Sequence, residues 1–253
     1  MITDTEGIVL KQVKTAYGRR MILLFSQKYG KISVGTSINE KGRNKSALAL
    51  RPFTYGKYEL FKNRDSFNLN NASVLKSYYK IGEDVDKYMN SSYILEFTEK
   101  VLQDGQPSQG MFNLIIDYFD VIENRQKSHE TVVLGYQVKT LKIMGVLPEL
   151  NKCIDCGAPI SKENPPAYID IKEGGLVCSK CGKPIGNTGR DLLIYSVNFG
   201  IVNILRYFAD HSLKDLEGLA LEEPIRKHLQ KIIRQYAVYH LDISELKSES
   251  FLE

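Results

Sequence analysis

Two cysteine pairs constrain this chain more than any other feature: Cys153-Ile-Asp-Cys156-Gly157 and Cys178-Ser-Lys-Cys181-Gly182, separated by 21 residues. Two CxxC pairs at this separation fit a tetrahedral site, so any fold must bring residues 153–156 against 178–181. A glycine after each pair tolerates the positive φ of a tight knuckle, which lets backbone N–H groups turn toward the sulfurs. Lys152, Lys180 and Lys183 offset part of the thiolate charge. Four sulfurs saturate zinc and leave no position for water, so the reading is one structural Zn2+ held by Cys153, Cys156, Cys178 and Cys181. It would staple a ribbon inserted at about 150–190, whose own core is small. An iron–sulfur cluster, a redox pair or two local disulfides are the other chemistries open to these residues.

The second constraint is charge. Residues 1–80 hold 15 Lys+Arg against 5 Asp+Glu, whereas residues 81–150 hold 6 against 11. The whole chain carries only +4, so a basic head is set on an acidic body. Such a head suits a polyanion partner, or else presents a well-solvated basic face. No run approaches the roughly 20 apolar residues of a membrane helix, and Met1-Ile2-Thr3-Asp4 lacks a signal peptide's basic and apolar regions. The expectation is a cytoplasmic, nucleoid-associated protein.

Residues 1–80 read as β, with strand-length apolar runs at Glu6–Lys14, Arg19–Gln27, Lys31–Gly35, Phe53–Phe61 and Ala72–Tyr79. Ser37–Ser46, polar and basic around Gly42, reads as a loop. Five short strands in this length predict a small barrel or sandwich. From about residue 82 the apolar period becomes 3.6. Met111, Leu114, Ile115, Tyr118, Phe119 and Ile122 form one stripe behind Pro107-Ser108. Ser91 or Ser92 is a candidate cap for a helix carrying Ile94, Phe97 and Val101. A further helix is predicted from about Glu130 to Met144, ending at Gly145. Ser196 is a candidate cap for Val197, Ile201, Ile204, Leu205 and Phe208. Pro224 opens a last helix carrying Ile225, Leu229, Ile232, Ile233 and Tyr236. The expected class is α+β, with a nucleic-acid-binding barrel at 1–80 and a helical domain at 81–253 interrupted by the ribbon.

A basic barrel with aromatic rungs is a common way to hold single-stranded nucleic acid. The candidate phosphate contacts are Lys14, Arg19 and Arg20 with Tyr17 at the first hairpin, then Lys41, Arg43 and Lys45 in the polar loop, flanked by Lys28, Lys31 and Arg51. Such charges carry no sequence code. Tyr17, Phe53 and Tyr55 are candidate stacking faces, with a core position as the other reading of the two strand aromatics. The four histidines, His129, His211, His228 and His240, show no metal or triad spacing. GxxxxGK[ST], GxSxG and HExxH patterns are missing. The reading is therefore of a binding protein and not an enzyme, with no nucleotide cofactor.

Several patches resemble the RecO family in order and spacing. They are Glu6-Gly7-Ile8-Val9-Leu10, Tyr17-Gly18, Leu23-Leu24-Phe25 and Tyr29-Gly30-Lys31, then Gly42-Arg43-Asn44-Lys45-Ser46 before Leu50-Arg51-Pro52-Phe53. The helix with Tyr136, Lys139, Thr140, Leu141 and Gly145 leads into Leu147-Pro148-Glu149-Leu150 and Cys153. The tail has Tyr239-His240-Leu241, Leu246-Lys247-Ser248 and Phe251-Leu252. The resemblance implies an N-terminal five-stranded OB-fold, a helical C-terminal domain and a four-cysteine zinc ribbon. It implies binding of single- and double-stranded DNA and annealing of complementary strands. It also implies partnership with RecR and with the C-terminal tail of single-stranded-DNA-binding protein (SSB), so that RecA is loaded onto coated DNA. By that resemblance Lys41, Arg43 and Lys45 are the leading DNA contacts. An RNA-binding factor joining an OB barrel to a zinc ribbon is the rival reading.

Overall fold

The structure is a computed structural model that describes residues 1–14, 20–38, 45–64, 66–126, 128–182, 193–243 and 246–251. It divides into two compact units, Met1–Arg125 with Glu245–Glu253, and Gln126–Ser244.

The first unit is built on five strands: β1 (Ile2–Lys14), β2 (Arg20–Ser26), β3 (Gly30–Thr36), β4 (Thr54–Lys62) and β5 (Phe67–Ser77). They close a barrel in the order β1-β2-β3-β5-β4, the first of the two architectures, barrel or sandwich, that the short-strand pattern allows. Its pairings are antiparallel except the closure, where β3 meets β5 in parallel at Val34–Phe67 and Gly35–Asn68. Gly35 leaves room there for the Asn68 side chain, whose Oδ1 would stand 2.7 Å from a Cβ. Inward positions alternate along the strands, as a closed sheet requires. Val9, Ile22, Leu24, Val34, Tyr58 and Leu60 meet in the interior. Of the run predicted as loop at 37–46, residues 39–44 lie outside the described residues and 45–46 begin a short helix, α1 (Lys45–Ala49); Ala47 and Ala49 in it and Leu50 just after it are buried. That turn falls too briefly in the sequence to show a period.

Two helices join this unit, α2 (Val85–Val101) and α3 (Gln109–Asn124). Ser108 caps α3 as predicted, accepting from Met111 N–H. The start of α2 differs from expectation: Asp84 caps it, and Ser91 and Ser92 lie inside the helix. An Asp accepting from the Lys87 N–H, 3.0 Å away, is a stronger start signal than a serine whose hydroxyl is already surrounded by helix. Both helices fall in the same compact unit as the barrel. Phe112 of α3 meets Phe25 of β2 edge to face at 5.3 Å, and Phe119 meets Phe53 at 5.8 Å and Tyr78 at 5.2 Å. Aromatic burial thus binds α3 to the barrel, and Tyr88 of α2 meets Phe53 edge to face at 5.5 Å.

The second unit contains α4 (His129–Ile143), a sheet of β6 (Glu149–Cys153), β7 (Pro166–Asp170), β8 (Gly175–Cys178) and β9 (Ile194–Ser196), then α5 (Phe199–Asp210) and α6 (Glu223–Leu241). The sheet order is β6-β8-β7-β9. Helix α4 is buried on nearly every side, with Val132, Val133, Tyr136, Val138 and Leu141 all in the core. A helix enclosed in this way carries no single apolar stripe. Its end is the expected one, with Gly145 at φ +75°. Ser196 does not cap a helix but closes β9; Asn198 caps α5, accepting from Ile201 N–H at 3.0 Å. Pro224 occupies the first turn of α6, where its missing N–H costs nothing, as predicted. Among the described residues, no helix is long and apolar enough to cross a membrane.

Candidate nucleic-acid interface and candidate metal centre

The ribbon sheet explains how the cysteines meet. β6 and β8 run parallel, with Cys153 in register with Leu176, so Cys153 and Cys178 end neighbouring strands. Each then turns into its knuckle. Gly157 N–H donates to Cys153 O at 2.9 Å, and Gly182 N–H donates to Cys178 O at 2.7 Å. The two glycines serve different ends. Gly157 has φ +72°, the left-handed backbone expected of it. Gly182 is not among the positive-φ residues, contrary to expectation. It is needed for space, since a Cβ would stand 2.9 Å from Ala167 Cβ and 3.1 Å from Cys178 O.

All four Sγ atoms lie within 4.8 Å of one another, and those of Cys156 and Cys178 are 3.9 Å apart. A tetrahedron with metal–sulfur bonds of ~2.3 Å has edges of about 3.8 Å, so the sulfurs stand where one ion can hold them. The Cys178 N–H lies 3.4 Å from Cys153 Sγ, a backbone donor turned toward sulfur. Burial resists charge on Cys178, yet N–H groups of Cys181 and Lys180 outweigh it and bring that thiol down to about 6. Cys181, held by hydrogen bonds to Cys156 and Cys178, is pushed up to about 12. Sulfurs this close share negative charge poorly, and a cation relieves the conflict. No histidine joins the cluster among the described residues. His228 and His240 place Nε2 against the carbonyls of Ser196 (2.8 Å) and Ile171 (2.6 Å), and His211 stacks on Tyr207.

The barrel carries an open groove of about 670 Å³ across β2, β3 and β5. Arg20 and Met21 form one end, Ser33, Gly35 and Thr36 the middle, and Phe67 and Asn68 the other end. No carboxylate lines it among the described residues. Arg20 pairs with Lys14 across β1 and β2, and both are exposed, so two of the predicted cations stand together at one rim. Arg51 is exposed in the turn before β4. Lys45 opens α1. Tyr17, Arg19, Lys41 and Arg43 lie outside the described residues.

The remaining expected contacts separate. Lys31 is turned inward: its side chain is 14% exposed, its ammonium donates to Glu99 O at 2.8 Å and it pairs with Asp104 at 3.2 Å. Its charge ties β3 to α2. Lys28 is exposed at the β2–β3 turn and donates to Thr3 Oγ1 at 3.0 Å. The two strand aromatics belong neither to the barrel interior nor to an open stacking face. Phe53, at φ +58° and only 4% exposed, is held edge-on between Tyr88 and Phe119. Tyr55 lies against Phe112 and donates to Glu6; burial and that carboxylate push its phenol up to about 12. The aromatic that does line the groove, Phe67, was missing from the sequence reading. It packs at 5.1 Å on Tyr29, over which Lys28 and Lys62 extend their ammonium groups. Only the Lys28-Tyr29 dipeptide hinted at this cluster, because Lys62 and Phe67 join it from another strand pair.

Comparison with known proteins places these features in a family context. A model of the Recombination protein O N terminal domain matches residues 1–78, and one of the Recombination protein O C terminal domain matches residues 82–250. The DNA repair protein RecO of Alkaliphilus metalliredigens (strain QYMF) is 29% identical over 246 residues, covering 96% of this chain and 95% of that protein. The DNA repair protein RecO of Caldanaerobacter subterraneus subsp. tengcongensis is 26% identical over 247 residues, covering 98% and 96%. That of Acetivibrio thermocellus is 24% identical over 238 residues, covering 94% and 91%.

Proposed function

Because this chain belongs to the Recombination protein O family, we propose that it is a DNA repair and recombination mediator that grips strands on the open face of its barrel. It binds single- and double-stranded DNA and anneals complementary strands. With RecR it helps load RecA onto DNA coated by SSB, whose C-terminal tail it contacts. It performs no catalytic step and works in the cytoplasm at the nucleoid. One Zn2+ on Cys153, Cys156, Cys178 and Cys181 is structural.

The observation that carries this reading is a groove across β2, β3 and β5 that no carboxylate lines among the described residues, rimmed by the exposed pair Lys14 and Arg20. The corresponding face of an OB-fold takes oligonucleotides, with the flanking loops closing over them. Annealing requires two polyanions to approach. Cations that touch phosphates lower the repulsion, and base edges stay free to pair because such contacts do not read them. Lys41, Arg43 and Lys45 supply further phosphate contacts in this proposal.

The test is an annealing assay on SSB-coated complementary strands, with and without RecR, together with titration of DNA and RNA oligonucleotides at several salt concentrations. Faster annealing and a preference for DNA support the reading. Failure to bind DNA in dilute buffer, or binding indifferent to salt, overturns it. Tighter binding of RNA would favour the rival factor.

A further inference from the structure

The end of the barrel opposite Arg20 holds a second cationic assembly. Lys28 comes from the β2–β3 turn, Lys62 from the end of β4, Tyr29 from the same turn as Lys28, and Phe67 from the start of β5. The Lys62 ammonium lies 4.9 Å from the Tyr29 ring centroid and 5.6 Å from that of Phe67; the Lys28 ammonium lies 5.3 Å from Tyr29. A hydroxyl relay fixes the ring, with Tyr29 Oη 2.8 Å from Thr3 Oγ1, which also accepts from Lys28. Met1 N donates to Lys62 O at 3.1 Å and ties the start of β1 to the end of β4.

The way these charges are held distinguishes them from their neighbours. Lys11, Lys31, Lys57 and Lys76 of the same unit each pair with a carboxylate. Lys28 and Lys62 have no carboxylate partner among the described residues and rest on ring faces and a neutral hydroxyl instead. Ring faces orient a cation without neutralising it. Two ammonium groups are thereby fixed over one phenol with their charge left for an anion. Phe67 belongs both to this assembly and to the groove, so the groove leads onto it.

We propose that Lys28 and Lys62, set by Tyr29 and Phe67, form a second phosphate anchor at the far end of the groove from Lys14 and Arg20, and that a DNA strand must reach both ends to bind tightly. This rests on the proposed function above. The separation follows from the register. Arg20 to Ser26, which leads into the Lys28 turn, is six residue steps of β2, or about 20 Å at ~3.3 Å per residue; Lys62, in register with Phe67 and through it with Val34, comes to this end from across the sheet. At about 3.4 Å per stacked nucleotide, roughly six nucleotides are needed to touch both anchors. The protein therefore measures a minimum length of single strand, and its affinity rises in a step when the second anchor is reached.

The experiment uses the full chain and fluorescent oligothymidylates of 3, 6, 9 and 12 nucleotides at low salt, comparing wild type with K28A/K62A. The charge-matched control is K162A/K172A, two lysines of the second unit. The anchor predicts that K28A/K62A weakens binding of the 12-mer about tenfold or more while leaving the 3-mer within about twofold. It also predicts a log–log salt slope for the 12-mer shallower by about 1.4, two contacts at ~0.7 each. K28R/K62R, which keeps the charges, retains the length step, and a matching thermal melt shows the Ala variant folded. Equal loss at all lengths, or the same loss in the control, overturns the anchor while leaving DNA binding itself intact. A wild type that binds no oligonucleotide overturns both readings together.

Discussion

The carboxylate of Glu96 on α2 accepts from both backbone and hydroxyl of Ser248, with the Ser248 N–H at 2.8 Å and that of Lys247 at 3.0 Å. Residues separated by about 150 positions thus meet, and the C-terminal turn becomes part of the first unit. Partial burial resists charge on Glu96, but these three donors together hold its carboxyl below the ordinary value of 4.5.

That relationship gives a pH dependence of definite sign. A carboxyl depressed in the folded state contributes stability that is present above its ordinary value and lost as pH falls through the depressed one. The C-terminal turn should therefore stay docked at neutral pH and loosen as the solution is acidified below about 4.5. Hydrogen exchange at the amides of Lys247 and Ser248 reads this directly. E96Q should raise exchange at those amides at pH 7 and flatten its acid dependence. Unchanged protection in E96Q would show that the turn is held by other contacts.

The aromatic joint between barrel and helix should be costly to remove. Phe112 is 3% exposed and Phe25 fully buried beneath it, with centroids 5.3 Å apart. F112A loses the buried ring and leaves a cavity, which together destabilise by about 3–5 kcal/mol. Urea denaturation should show the midpoint falling. A loss below ~1 kcal/mol would mean that α3 collapses into the space.

Metal analysis of the purified protein should return one zinc per chain, and C178S should reduce it to near zero. C178S also removes the sulfur that the backbone N–H groups of Lys180 and Cys181 and the side chains of Cys153 and Cys181 surround at the end of β8. Structural zinc supplies folding free energy to small ribbons. Chelation should therefore unfold the ribbon sheet while the barrel keeps its far-ultraviolet signature and its DNA affinity. Retention of zinc by C178S would refute the four-sulfur site.

The exposed pair at the groove rim should behave differently from the inward lysine. K14A/R20A should shallow the salt dependence of DNA binding by about 1.4–1.8, two contacts at ~0.7–0.9 each. K31A should leave that slope unchanged, because its ammonium already serves Glu99 O and Asp104. It should instead lower thermal stability by freeing α2 from β3. A slope change in K31A as large as that in K14A/R20A would return Lys31 to the phosphate surface.

Features carried by local chemistry were legible in the chain. The strands at 1–80, the Ser108 cap, the Gly145 stop and the Pro224 start all depend on neighbours within a few residues. The cysteine pairs were legible because metal geometry imposes its own spacing. What misled was chemistry that several positions could supply. Ser91, Ser92 and Asp84 all suit a helix start, and only packing showed that the serines lie within α2. Ser196 and Asn198 posed the same choice, decided by the pairing of β9 with β7. A glycine after a CxxC pair gives no sign whether it supplies a positive φ, as Gly157 does, or room, as Gly182 does.

Composition, periodicity and ligand spacing by themselves determined a β-rich head, the helical region, the four-sulfur cluster and the concentration of positive charge in the first third of the chain; that the strands close a barrel and do not form a sandwich was decided by the pairing of β3 with β5. The tertiary structure alone decided which cations remain available. Lys31 is spent on α2, Phe53 and Tyr55 on the helices, while Lys28 and Lys62 are gathered over Tyr29 and Phe67 from segments more than 30 residues apart. The reason is that a local pattern fixes what a residue is able to do, whereas the partner that satisfies it, a distant carbonyl, ring or carboxylate, is chosen only when the chain closes.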